Sequence, residues 1–100
     1  MKKNKSHSIQ DISFSESTMH LIVDGVSHDI DLLKFSYRLG VATKKQREHV
    51  IVTDDGVGLY WPDIDEGLLV DIMIGTRKML PHEARSAWEL YMQGKSSFRT

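Results

Sequence analysis

The sequence predicts a small two-layer α+β domain, with antiparallel β-hairpins packed against short helices and a helix at the C-terminal end. Three observations carry that prediction. Apolar residues alternate with polar ones on both sides of Asp24-Gly25 and again after Asp54-Asp55-Gly56, the period of half-buried strands. Between and beyond these stretches the apolar spacing changes to three and four, the period of a helix that buries one stripe. The chain has 100 residues, 40% hydrophobic and 27% charged, enough for one modest core.

The elements follow in order. Ile12 and Phe14 open a first strand within Ile9 to Phe14, and Met19, Leu21 and Val23 alternate with His20 and Ile22 in a second. Asp24-Gly25 is a hairpin turn, because a tight primed turn needs residues that accept positive φ. A turn centred there pairs position i with 49 − i, which places His20 beside Asp29 and His28 beside Leu21. Val26, His28 and Ile30 form the return strand, completing a three-stranded meander. Leu32, Leu33, Phe35 and Leu39 then predict a helix that stops at Gly40. Thr43 has the character of an N-cap for a short helical turn over Lys44 to Glu48.

His49 to Thr53 returns to β-type residues, and Val57, Leu59 and Trp61 alternate after the second turn, so a second hairpin is expected. Pro62 stops it, since it has no N–H for the ladder. Asp65 and Glu66 precede Leu68, Leu69, Ile72 and Met73, a helical face with acids at its front and Gly75 at its end. Val70, Ile72 and Ile74 also alternate, which leaves a strand open for this segment. Pro81 opens the last helix, Ala84, Ala87, Trp88 and Tyr91 form its stripe, and Gly94 closes it. Residues 8–75 read as the α+β domain and 76–100 as its C-terminal helical extension.

Composition narrows the function classes. There is no cysteine, which excludes disulfides, thiolate metal sites and a cysteine nucleophile, and fits a reducing cytoplasm. Net charge is −1, with +2 in residues 1–50 and −3 in 51–100, too weak an asymmetry to name a partner. The basic start Met1-Lys2-Lys3-Asn4-Lys5 is followed by no apolar run, so it reads as a solvated tail and not a signal peptide, and no membrane span is expected.

Three blocks stand in a fixed order: Ser36-Tyr37-Arg38-Leu39, then Ala42-Thr43-Lys44-Lys45-Gln46-Arg47, then Gly56-Val57-Gly58-Leu59-Tyr60-Trp61-Pro62-Asp63-Ile64-Asp65-Glu66. In these the chain resembles a family of small bacterial proteins catalogued as a domain of unknown function, number two-four-four-two. The family pattern is Ser-x-Arg-Leu, Ala-Thr-x-x-Gln-Arg and Gly-x-Gly-x-x-Trp-Pro-x-Leu-Asp-Glu-Asp. The likeness runs from about residue 10 to 75. Where the family usually has a third acid, this chain has Gly67. The resemblance implies a compact α+β fold and, from relatives that sit beside a small partner in toxin–antitoxin-like arrangements, a protein partner. A helix-turn-helix domain that follows in some relatives has no counterpart expected in residues 76–100.

Asp63, Asp65 and Glu66 are the nearest approach to a carboxylate cluster. They read first as helix-start acids, because calcium loops need more oxygen ligands at set spacings. Neither the histidines nor the serines show metal or nucleophile spacings, and Gly56-x-Gly58 lacks the third glycine of a dinucleotide fingerprint. Arg38, Lys44, Lys45, Gln46 and Arg47 make a basic segment that either pairs internally with Asp63, Asp65 and Glu66 or meets an acidic partner or a phosphate backbone. Adjacent strand residues face opposite ways, so Trp61 belongs inside and Tyr60 outside, available to a partner. Trp88 and Tyr91 belong to the core or to an oligomer surface. The expectation is a non-enzymatic cytoplasmic module that binds a protein or a second copy of itself, regulatory or antitoxin-like, with no cofactor or metal. The alternative is a nucleic-acid accessory protein using residues 38–47.

Overall fold

The computed structural model describes residues 6–76 and 83–93. The first sheet is the expected meander, β1 (Ile9–Ser15), β2 (Thr18–Val23) and β3 (Val26–Asp31), antiparallel in the order β1-β2-β3. β2 and β3 pair from Thr18↔Asp31 to Val23↔Val26, the register set by the Asp24-Gly25 turn. Both turn residues have positive φ, 51° and 84°, as a primed turn requires. Met19, Leu21 and Val23 turn one face of β2 into the core. β1 carries a bulge between Gln10 and Ser13, with Asp11 at φ 54°.

The helix expected over Leu32 to Gly40 is two shorter ones, α1 (Leu32–Phe35) and α2 (Tyr37–Val41). Ser36 breaks them: its backbone is extended (φ −153°), and its hydroxyl accepts from Leu39 N to cap α2. Gly40 lies inside α2 instead of ending it. Thr43 caps α3 (Lys44–Glu48) through a capping box with Gln46, as its sequence suggests.

The second sheet has the order β4-β5-β6, with β4 (Ile51–Val52), β5 (Gly58–Trp61) and β6 (Glu66–Leu69), all antiparallel. The third strand corrects the helix favoured for residues 65–74. Pro62–Ile64 form a single 3₁₀ turn, and Asp65 takes a left-handed conformation (φ 49°), which reverses the chain and lays Glu66 opposite Trp61. All four residues of β6 are buried, so both of its faces are covered and the alternation that marks a strand is absent. Only then does the chain turn helical, in α4 (Val70–Met73).

One apolar cluster joins the layers, with Met19, Leu32, Leu39, Leu59, Trp61 and Leu68 among its most buried members. The last helix, α5 (Ala84–Gln93), packs on β6. Pro81, His82, Gly94, the basic start at residues 1–5 and the tail at 95–100 lie outside the described residues, as does the side chain of Ala84. No helix among the described residues is long and apolar enough to cross a membrane.

Candidate functional site

Strand alternation along β5 sends Leu59 and Trp61 into the core and leaves Gly58 and Tyr60 on the outer face. Gly67 of β6 and Ile51 of β4 stand opposite Tyr60 in the ladder and share that face. α5 lies over it, and the indole of Trp88 rests on the two glycines. A Cβ at Gly58 would come 2.6 Å from Trp88 Cζ3, and one at Gly67 would overlap the indole ring itself. The Tyr60 ring stacks on Trp88 (centroids 5.9 Å apart, planes at 5°), and the Tyr91 ring tilts against the same indole (5.5 Å, 44°). Tyr60 is therefore half-buried under α5, not the exposed aromatic that its strand phase suggested. Trp88 is a buried part of the sheet's cover.

α5 does not cover β4. Between them runs a groove of about 370 Å³, lined by Ile51, Val52, Tyr60, Trp88, Tyr91 and Met92, with Thr53 and Asp54 also on its wall. The tyrosine hydroxyls hold the wall in place: Tyr60 donates to Asp65 Oδ1 (3.0 Å) and Tyr91 to Asp55 Oδ1 (3.0 Å). Asp55 is itself fixed by donors from Thr53 Oγ1 and Val57 N. A groove of this size and lining accommodates an apolar side chain or a small apolar ligand. Ile51 and Val52 beside it are 48% and 37% exposed.

The three sequence blocks interlock beneath this face. Ser36 Oγ donates to the buried Glu66 (2.7 Å), and Glu66 Oε1 accepts from Gly67 N. Arg38 Nη1 donates to the carbonyls of Ile64 and Asp65, both at 3.2 Å. Arg47 Nη1 donates to Ala42 O (2.6 Å) and Leu39 O, and Trp61 Nε1 donates to Arg47 O. The internal arginine–carboxylate pairing weighed from the sequence is thus replaced by arginine–carbonyl bonds. The physical reason is that carbonyls at the end of α2 and in the left-handed Asp65 turn keep acceptor capacity that a guanidinium can reach. Of the remaining basic segment, Lys44 approaches Glu48 at 3.8 Å, Lys45 is exposed, and Gln46 closes the α3 cap. Asp63, Asp65 and Glu66 do not converge: Asp63 meets His49 (3.1 Å), Asp65 meets Tyr60, and Glu66 meets Ser36.

Two histidine arrangements stand apart from the groove, one beyond any spacing rule and one foreseen by the hairpin register. His7, whose side chain is 4% exposed, bridges Asp24 (Nδ1, 2.6 Å) and Asp71 (Nε2, 2.7 Å). Burial disfavours its charge, but the hydrogen bonds and charges of the two aspartates outweigh that, and its pKa is raised above 6.5. Both ring nitrogens donate only in the imidazolium, so the bridge is a charged one. Its backbone lies against Gly56, where a side chain would collide with His7 O. On the open face of the first sheet, His20 bonds Asp29 (2.7 Å) and Ser15 Oγ (3.0 Å), with Asp29 at its expected cross-strand position. The order resembles a nucleophile relay. With the Asp29 and His20 side chains 74% and 37% exposed, water screens the pair, and the row acts as a cross-strand polar ladder.

Among the described residues, no group of three or more His, Asp or Glu side chains is arranged to hold a metal ion. Comparison with protein-family models, curated proteins and solved structures returns no match. Sequence reasoning singled out Tyr60, Trp88 and Tyr91 separately but not Ile51, Val52 and Met92, which complete the groove. Its one available signal was the pair of outward glycines, Gly58 and Gly67, which leave space for a large ring.

Proposed function

We propose that this chain is a non-enzymatic, cytoplasmic protein-binding module of a regulatory, antitoxin-like kind, and that the groove between β4 and α5 receives an apolar side chain of its partner. The observation that carries the reading is the groove itself: about 370 Å³ with a rigid aromatic wall, flanked by exposed apolar residues of an edge strand. Aromatic pockets that exclude water are where binding energy concentrates in interfaces, and an exposed strand edge offers backbone pairing to an extended segment. The separation of Asp63, Asp65 and Glu66 supports the non-enzymatic reading, because no two of them share a reacting position. The resemblance to a domain of unknown function, some of whose members sit beside a small partner in toxin–antitoxin-like arrangements, agrees with it. The nucleic-acid alternative is weakened by Arg38 and Arg47, whose guanidinium groups donate to backbone carbonyls.

The test is affinity capture from the cell of origin, with the wild type and Ile51→Lys in parallel. Ile51 is half-exposed, so the substitution spares the core while placing a charge in the groove. A protein captured by the wild type and lost with Ile51→Lys supports the reading, and its binding should shift the emission of Trp88. Equal capture by both forms, or capture by neither, overturns it.

A further inference from the structure

The groove lies along a sheet edge that still has hydrogen bonds to give. Among the described residues β4 pairs only with β5. Its phase is set by Thr53 N, which donates to Gly58 O at 3.0 Å. Residues of an antiparallel ladder alternate between addressing the partner strand and facing away from it. Ile51 and Thr53 therefore address β5, and the N–H and C=O of Val52 point outward. An extended segment laid beside β4 exchanges a pair of hydrogen bonds with Val52. Residues opposite each other in a ladder share a face of the sheet. The segment's residue opposite Val52 thus lies on Val52's face. The residues on either side of it lie on the Ile51 face, with Tyr60 and the groove.

The wall of the groove decides which side chains suit those places. Among its described residues Asp54 alone carries a charge, and the rest is largely aliphatic and aromatic. Asp54 is exposed and takes part in no hydrogen bond or ion pair among the described residues. An apolar group entering the groove therefore comes to rest beside an uncompensated negative charge. A cation attached next to that group is attracted, a carboxylate in its place is repelled, and a neutral residue is neither.

We propose that the partner makes this contact with an extended segment in which an apolar residue stands next to Lys or Arg. Its backbone pairs with Val52 as a fourth strand of the second sheet, its apolar side chain enters the groove, and its cation meets Asp54. The inference rests on the reading of the groove as the partner's site, and adds to it the conformation and the charge of what binds. In strand addition the main chain supplies affinity and leaves selection to the side chains.

Three capped dipeptides test it by nuclear magnetic resonance titration of the full chain: acetyl-Phe-Lys-amide, acetyl-Phe-Gln-amide and acetyl-Phe-Glu-amide. The caps remove the terminal charges, so the three differ only in the side chain beside phenylalanine. The lysine probe should move the Trp88 indole N–H and the Val52 amide signals together. It should bind about two- to fivefold more tightly than the glutamine probe, the range of one exposed ion pair. The glutamate probe should bind more weakly than either. Asp54→Asn changes an exposed residue, which spares the fold, and should make the three bind alike. About 0.5 M salt should narrow the wild-type preference. Equal binding of the three to the wild type, or a preference that survives Asp54→Asn, overturns the proposal. So does a Val52 amide that stays unmoved while Trp88 responds, or no response to any probe at about 10 mM. Charge-blind probes together with capture that depends on Ile51 overturn this inference alone. A lysine-selective groove with no captured protein overturns the partner reading alone.

Discussion

Gly67→Ala is the sharpest test of how α5 is held. A Cβ at position 67 would overlap Cε2, Cζ2 and Cδ2 of the Trp88 indole, far inside the 3.4 Å at which ordinary contact begins. Sideways movement of the ring is hindered, because Tyr60 is stacked on it and the space over Gly58 holds the indole but no added side chain. Relief requires the indole to lift away from the sheet, and α5 with it. Complete undocking sets the ceiling, the loss of one buried tryptophan, about 3–5 kcal/mol. Against this, alanine in place of glycine within a strand recovers about 0.5–1 kcal/mol of backbone entropy. The net cost is about 3 kcal/mol, a fall in Tm of roughly 12–24 °C for a domain of this size. In a Trp88→Ala background the obstruction is gone, and Gly67→Ala becomes neutral or stabilising by about 0.5 kcal/mol. Urea unfolding of the four proteins of this cycle measures the coupling. An equal penalty with and without Trp88 would refute the account, because the cost would then belong to β6 itself.

Two further substitutions probe the buried polar contacts. Because the folded-state pKa of His7 is raised, its contribution to stability is complete below the unfolded value near 6.5 and is lost as pH rises through the folded value. The wild type should therefore lose more thermal stability between about pH 6 and about pH 9 than His7→Gln does, and parallel melting curves for the two would contradict the charged bridge. Ser36→Ala removes both the cap of α2 and a donor to Glu66, at a combined cost of about 2 kcal/mol by chemical denaturation. A cost under about 0.5 kcal/mol would mean that neither bond matters.

Much of the fold was legible because local rules act alone there. Asp24-Gly25 fixed a register that the structure keeps residue by residue, and Thr43 with Gln46 announced a cap. The failures share one cause, tertiary context overriding period. Glu66 to Leu69 lacks alternation because both faces of β6 are buried, and its leucines therefore fit a helical stripe equally well. Ser36 divides a helix that periodicity would run straight through, because its hydroxyl is held by Glu66, thirty residues away. The groove was legible only in pieces, since β4 and α5 meet through a face whose defining residues, Gly58 and Gly67, carry no side chain. His7 was beyond any spacing rule, with partners 17 and 64 positions along the chain.

That span has a consequence for how the molecule comes into being. Each sheet is assembled from neighbouring strands, so each can form soon after its own residues leave the ribosome, with little chain entropy to overcome. The imidazole that fastens the Asp24 turn to α4 precedes both sheets in the chain, yet its second aspartate follows both of them. The fastening to α4 must wait until both sheets have been made, and until then His7 has only the Asp24 turn to hold it.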